Sequence, residues 1–373
     1  MKEEWKHINF KKCLIKVPKQ RSIKSRDYLE QGAFPIVSQE SRLISGYTED
    51  GSLLYKHDRP VVIFGDHTKN IKYVDFDFAV GADGVHILMT IDEILPKFFY
   101  YQLCSIKLRD LGYARHYKLL KEIDIKYPNL SEQERIVSLI DKQFDIVEKI
   151  RSNAEVQLNH ARQLFNSALE DLLAIKDGWF EKTLESIATD MYRGSGITRD
   201  QTRNDGIPCV RYGEIYTKYN YWFDECVTHT DESIVKGKKY FGHGDILFAI
   251  TGESVEEIGK SVAYLGNDIC LAGGDIVVLK HNQSPKYLSY ALSSRSAIEQ
   301  KGHGKTKLKV VHTNIPSLKS IVIPIPPTLE EQEQIANKLD TLAQKVKELE
   351  ENYNNTITLC NDLKQSLLKT IFE

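Results

Sequence analysis

The side chains most able to do chemistry in this sequence are basic. They sit in short stretches interleaved with glycine and aromatics. Residues 16–26, KVPKQRSIKSR, carry Lys16, Lys19, Arg21, Lys24 and Arg26 with no acid among them. Residues 112–118, GYARHYK, set Arg115, His116 and Lys118 between Tyr113 and Tyr117. Residues 301–309, KGHGKTKLK, hold Lys301, His303, Lys305, Thr306 and Lys307 in a glycine-containing run. A fourth stretch contributes Arg193, Arg199 and Arg203, and Arg211 with Tyr212 follows it. Cations on such loops suit phosphate oxygens, and arginine can also grip guanine bidentately in the major groove. These residues are the candidate nucleic-acid contacts. Lys19, Arg21, Lys118, Lys305 and Lys307 are expected on phosphates, and the polar and arginine side chains beside them on base edges. Any one loop alone is more simply read as solvated surface. The matched placement of 112–118 and 301–309 in the two halves of the chain weighs against that reading.

Other chemistries lack their residues. The P-loop spacing around Gly304-Lys305 requires a glycine at 299, where Glu299 stands, and around Gly259-Lys260 it requires one at 254, where Ser254 stands. Gly194-Ser195-Gly196 is a lone GxG, too little for a dinucleotide site. The histidines show no HExxH and no ligand spacing with Cys or Asp. There is no GxSxG elbow and no (N/D)PP(Y/F) tetrapeptide of the kind adenine methyltransferases use. A non-catalytic protein with no metal or cofactor of its own is expected.

The composition, 41% hydrophobic and 27% charged over 373 residues, is that of a globular chain of two or three domains. No apolar run is long enough to span a membrane, and MKEEWKHINF has no signal-like apolar core. Six scattered cysteines without a CxxC pair suggest reduced thiols and a cytoplasmic location. The net charge of −2 gives no global nucleic-acid signal. By segment, residues 1–128 carry +4, 129–176 carry −2, 177–327 carry 0 and 328–373 carry −4.

The elements that must position the basic loops are duplicated. NLSEQERIVSLID at 129–141 returns as TLEEQEQIANKLD at 328–340, an offset of 199 that holds without a gap to the C-terminus. LPKFFYYQLCS at 95–105 returns as SPKYLSYALSS at 284–294, FAVGADGVHIL at 78–88 resembles CLAGGDIVVL at 270–279, and Trp5 resembles Trp179. Each half is a globular region followed by a segment of about 46 residues that reads as one helix. Pro128 and Pro327 precede these segments, and Asn129 with Glu132, and Thr328 with Glu331, have N-cap spacing. Each helix would be about 65 Å long. Their apolar stripes keep a 3-4 alternation, the seam of a left-handed coiled coil. A single-stripe helix of that length needs a partner. Antiparallel pairing of the two within the chain is expected, with Arg151 falling near Tyr353 or Glu350. Homodimerisation through the same seam is the alternative.

The chain resembles specificity subunits of type I restriction–modification systems. The resemblance rests on PNLSEQERI (128–136) and PTLEEQEQI (327–335), on GIPCVR (206–211), YFGHGDILFAITGES (240–254), IGKSVAYL (258–265) and IVIPIPP (321–327), and on FGDHTKNIKYVDFDFAVGADGVHIL (64–88). It covers essentially the whole chain, although the first half lacks the GDIL-type stretch of the second. It implies an α/β (α+β) fold: two globular target recognition domains joined by two long antiparallel helices, a pseudo-twofold tandem duplication. The expected segments are 1–128 and 176–327 for the recognition domains, and 129–175 and 328–373 for the spacer helices. The resemblance also implies double-stranded DNA with a bipartite asymmetric site as ligand, each domain reading one half. Two methyltransferase subunits would be partners, carrying S-adenosylmethionine, and restriction subunits would carry ATP and Mg. Against this stand a coiled-coil adaptor without sequence preference and a self-contained methyltransferase or nuclease. The missing cofactor loop argues against the last.

Overall fold

The computed structural model describes residues 5–112, 114–255, 257–303 and 311–373. The chain divides into two compact units, Met1–Val156 with Tyr353–Glu373, and Gln157–Asn352. Their longer helices, among the described residues, are α1 (Pro96–Ser105), α2 (Leu130–Leu173), α3 (Pro285–Ala291), α4 (Arg295–Gly302) and α5 (Leu329–Phe372). The long helices α2 and α5 are 44 residues each, so each contributes one stretch to either unit. Among the described residues, no helix is long and apolar enough to cross a membrane.

In the first unit a four-stranded antiparallel sheet runs in the order Leu14–Ile15, Val85–Thr90, Val61–Gly65, Ile71–Val74. Val61–Gly65 is buried at every residue, because side chains on both faces meet protein. A second sheet is built on Phe78–Gly81, which pairs in parallel with Phe34–Val37 and with Ser22–Ile23, and antiparallel with Leu54–Tyr55. The ribbon Lys6–Asn9 with Asp124–Tyr127 closes the unit just before α2.

The second unit repeats this plan. Its central sheet runs Ala188–Arg193, Ile276–His281, Ile246–Ala249, Ser261–Tyr264, with Trp222–Phe223 added at the edge. Its second sheet is built on Cys270–Ala272, parallel with Ile207–Val210 and antiparallel with Tyr240–Phe241. The ribbon Phe180–Thr183 with Val322–Ile325 closes it before α5. The strand Val61–Gly65 of the first unit thus takes the place of Ile246–Ala249, the strand of the GDIL stretch, with different residues.

The helix starts are capped as their spacing predicts. Asn129 Oδ1 accepts the Glu132 N–H at 2.9 Å, and Thr328 Oγ1 accepts the Glu331 N–H at 3.2 Å. Gln133 and Gln332, 199 residues apart, are buried and serve as joints. Gln133 accepts the Leu95 N–H and donates to the Glu93 and Pro128 carbonyls, all within 2.9 Å. Gln332 accepts the Ser284 N–H at 2.9 Å and donates to Gln283 and to the Pro326 carbonyl. About two turns further on, Asp141 takes Lys97 and the Tyr101 hydroxyl, and Asp340 takes Lys286 and the Tyr290 hydroxyl. The conserved spacing between the two repeats is that of these clamps.

Within each unit the helix stretches run antiparallel. In the first, Glu148 meets Lys364 at 2.6 Å, while Ile136 and Ile140 share a core with Leu368 and Phe372. In the second, Arg162 meets Glu350 at 2.6 Å, while Leu169 and Leu173 share a core with Ile335 and Leu339. Arg151 lies elsewhere than expected. Its guanidinium is held along its own helix by Glu148 and Glu155, and across the seam its electrostatic neighbour is Cys360, not Tyr353 or Glu350. A register read only from the stripe slides by whole turns, whereas the Glu148–Lys364 pair fixes it.

Candidate nucleic-acid interface

In the first unit, the strand Val61–Gly65 delivers Asp66 to the base of the loop at residues 109–118. Asp66 is 3% exposed. Its carbonyl accepts the His116 N–H and lies 2.9 Å from His116 Nδ1. Its carboxylate accepts the Tyr117 N–H at 2.8 Å and reaches His86 Nε2 at 3.2 Å. The Leu111 N–H donates to His116 Nε2 at 3.0 Å, which assigns the ring N–H to Nδ1, facing the Asp66 carbonyl. Burial pushes the Asp66 carboxyl up, but the Tyr117 N–H, and then the His86 ring, outweigh it and hold the group below the usual carboxylate range.

The anchored loop presents Arg115, 77% exposed and 3.9 Å from Asp66, and Lys118, also exposed. The Tyr117 ring stacks on His86 with centroids 3.8 Å apart. His86 also lines a cavity of about 300 Å³ with Lys19, Gln20 and Asp83. The structure therefore brings Lys19, which shares the cavity, and Tyr117, which stacks on the ring, to one histidine. Arg21, Lys24 and Arg26 are exposed further along the same segment; Arg26 lies 3.7 Å from Asp27, and the charge of Arg21 acts on Asp50.

His116 does not belong among the contacts. It is fully buried with both ring nitrogens occupied, so it holds the loop and cannot touch a ligand.

The second unit docks the equivalent segment at the equivalent strand end. The Thr313 N–H donates to the Ile250 carbonyl at 2.9 Å, and Thr251 pairs with His312. Beside them, Tyr212 lines a cavity of about 360 Å³ with Tyr216, Thr251 and two carboxylates, Glu253 and Glu257. Arg211 is half-buried at the start of a short helix, where its N–H donates to Glu214 at 2.9 Å. Arg193 is ion-paired with Asp275 at 2.7 Å yet 60% exposed, and Arg199 and His303 are exposed.

Lys301 is a second correction. It is 5% exposed, and its ammonium donates to the Leu292 carbonyl at 2.6 Å, at the C-terminal end of α3. Burial alone pushes it down to about 7. It braces α4 from inside and faces no ligand. Lys305, Thr306 and Lys307 lie outside the described residues. The Gly194-Ser195-Gly196 run has a structural use, since a Cβ on Gly194 would sit 2.2 Å from the Gly273 carbonyl.

Sequence reasoning missed Asp66 and His86. The GDH triplet and the HIL strand were visible, but nothing in one sequence ties residue 66 to residue 116. It also quoted the stretches that hold Gln133, Gln332, Asp141 and Asp340 without assigning these residues a task. The exact offset of 199 was their signal.

Exposed basic side chains in both units, Lys19, Arg21, Arg115 and Lys118 in the first and Arg193 and Arg199 in the second, match what comparison with known proteins shows. The family model for the type I restriction modification DNA specificity domain matches residues 3–158 and again 176–359. The chain belongs to that family. The specificity subunit of the type I restriction enzyme EcoR124I/EcoR124II from Escherichia coli is 24% identical to it, over 89% of this chain and 85% of that protein. A solved structure that describes complex assembly and conformational transition of the type I R-M system matches with a TM-score of 0.72 at 19% identity, covering 99% of this chain and 98% of that one. The HsdS subunit from Thermoanaerobacter tengcongensis matches at a TM-score of 0.50 and 19% identity, covering 99% and 96%. These likenesses carry the fold: two specificity domains in tandem with long helices. The chain is a specificity subunit of a type I restriction–modification system, a component that directs the reaction without performing it.

Proposed function

We propose that each domain of this specificity subunit reads one half of a bipartite, asymmetric double-stranded DNA site. The helices α2 and α5 set the distance between the halves and dock two methyltransferase subunits. Those subunits would hold S-adenosylmethionine, and restriction subunits joining them would bring ATP and Mg. The whole complex would work in the cytoplasm. One observation carries the reading most. Each unit docks the segment that leads to its long helix on the end of the corresponding central strand, His116 and Tyr117 on Asp66 in one and His312 and Thr313 on Ile250 and Thr251 in the other, yet the residues there differ. Asp66, His86 and Arg115 line one, while Thr251, Tyr212, Glu253 and Glu257 line the other. Similar scaffolds with unlike reading surfaces suit two unlike half-sites. Arginine and lysine on the loops would set register on phosphates, and each good bidentate base contact would discriminate by about 1–3 kcal/mol.

The test is to lengthen both long helices by seven residues, after Val156 and after Asn352. Two extra turns add about 10 Å, close to three base pairs at about 3.4 Å each. The unspecified gap should grow by about that number while the specified bases stay the same. A changed half-site with an unchanged gap would contradict the spacer role.

A further inference from the structure

The six cysteines are scattered along the chain, but the second unit gathers three of them. Cys226 lies in the turn between Trp222–Phe223 and Thr228–Thr230. Cys270 opens the strand Cys270–Ala272. Their sulfurs are 3.5 Å apart. Cys270 is fully buried, with Tyr264 Oη 3.4 Å from its sulfur, whereas Cys226 is half-buried and open to small solutes. The third thiol, Cys209, sits on Ile207–Val210, the strand beside Cys270–Ala272, and is fully buried. Among the described residues, no group of these and other donors is arranged to hold a metal ion.

We infer that Cys226 and Cys270 form a reversible redox site, closed to a disulfide by hydroperoxides. Hydrogen peroxide oxidises one thiol of the pair to a sulfenic acid and releases one water. The other sulfur then attacks it, the S–S bond forms, and the sulfenic oxygen leaves as a second water with the remaining thiol proton. Two thiols are oxidised and one peroxide is reduced. The sulfurs must approach to about 2.05 Å. The turn can supply that movement, because Cys226 is outside the sheet ladders and its neighbour Val227 is exposed, with its N–H on the Tyr219 hydroxyl. Cys270 is fixed on both sides by Ile207–Val210 and Tyr240–Phe241. The bond would staple the turn to the strand that flanks Ile207–Val210, which leads directly into Arg211 and Tyr212. Only the second unit would stiffen, since the first has no such pair among its cysteines Cys13, Cys104 and Cys360.

The test uses the full wild-type chain. Hydrogen peroxide is added, remaining thiols are alkylated, and the protein is digested without reductant for peptide mass mapping. The expected result is one cross-link joining the peptides of Cys226 and Cys270, a mass loss of about 2 Da per chain, full reversal by dithiothreitol, and a melting temperature raised by about 5–10 °C. Cys226→Ser should abolish the cross-link, and Cys104→Ser should not. A Cys209–Cys270 link, or Cys226 recovered as a sulfinic acid with Cys270 still free, would overturn the assignment.

Discussion

Replacing Asp66 by alanine removes the carboxylate that holds Tyr117 and His86, while the backbone carbonyl of residue 66 still holds His116. The Tyr117 N–H would lose a charged partner at 2.8 Å and His86 its carboxylate at 3.2 Å. A hydrogen bond to a charged group contributes about 1.5–3 kcal/mol, and the orphaned donor sits where water has poor access. The first unit should therefore lose about 2–3 kcal/mol, and its melting transition should fall by about 5–10 °C. Asp66→Asn keeps an acceptor for Tyr117 but not the charge, so about 1 kcal/mol is expected. The wild-type carboxyl is held below its ordinary range. Its contribution is thus fully present above the unfolded value near pH 4, and is lost as pH falls through the lower folded value. Thermal melts read the stability, and hydrogen exchange at the Tyr117 amide reads the loop itself. Unchanged protection of that amide in Asp66→Ala, with an unchanged melt, would refute the anchoring role.

Three further outcomes follow from the same structure. Gln133→Ala and Gln332→Ala should each cost about 2–3 kcal/mol, because each strands buried backbone groups at the start of a long helix; a loss below about 0.5 kcal/mol in both, by urea unfolding, would remove the joint. Lys301 titrates near 7 in the folded chain and near 10.4 unfolded, so stability should climb with pH between those values. Lys301→Met should flatten that climb, and a pH profile identical to wild type would contradict its burial. Lys118→Ala should lower the salt slope of DNA binding by about one unit, whereas His116→Ala should lower stability and leave the slope alone; the reverse pattern would return His116 to the interface.

The parts of this protein that repeat were the parts legible in its sequence. An ungapped offset of 199 residues, proline before each start, and Asn129 and Thr328 at cap spacing located both long helices within a residue or two of where they lie. Such signals are local, because capping and helical periodicity act within a turn or two. The register between helices was not legible, since a heptad stripe repeats every two turns and only specific pairs such as Glu148–Lys364 break the degeneracy. Nor was burial within the basic loops. Lys301 and His116 look like their exposed neighbours in sequence, and what distinguishes them is a partner on another element: the Leu292 carbonyl for one and residue 66 for the other. The same blindness hid Cys226 beside Cys270. Composition says nothing of which thiols a sheet will bring together.

The central claim is that two unlike reading surfaces on one duplicated scaffold select two unlike DNA half-sites. The most direct measurement is co-expression of this chain with the methyltransferase subunit encoded beside it, followed by mapping of N6-methyladenine in host DNA. The account predicts one split motif: two short specified sequences that differ from each other, separated by a fixed run of unspecified bases. A stable complex that methylates without a motif, or a motif with a single continuous block, would contradict it.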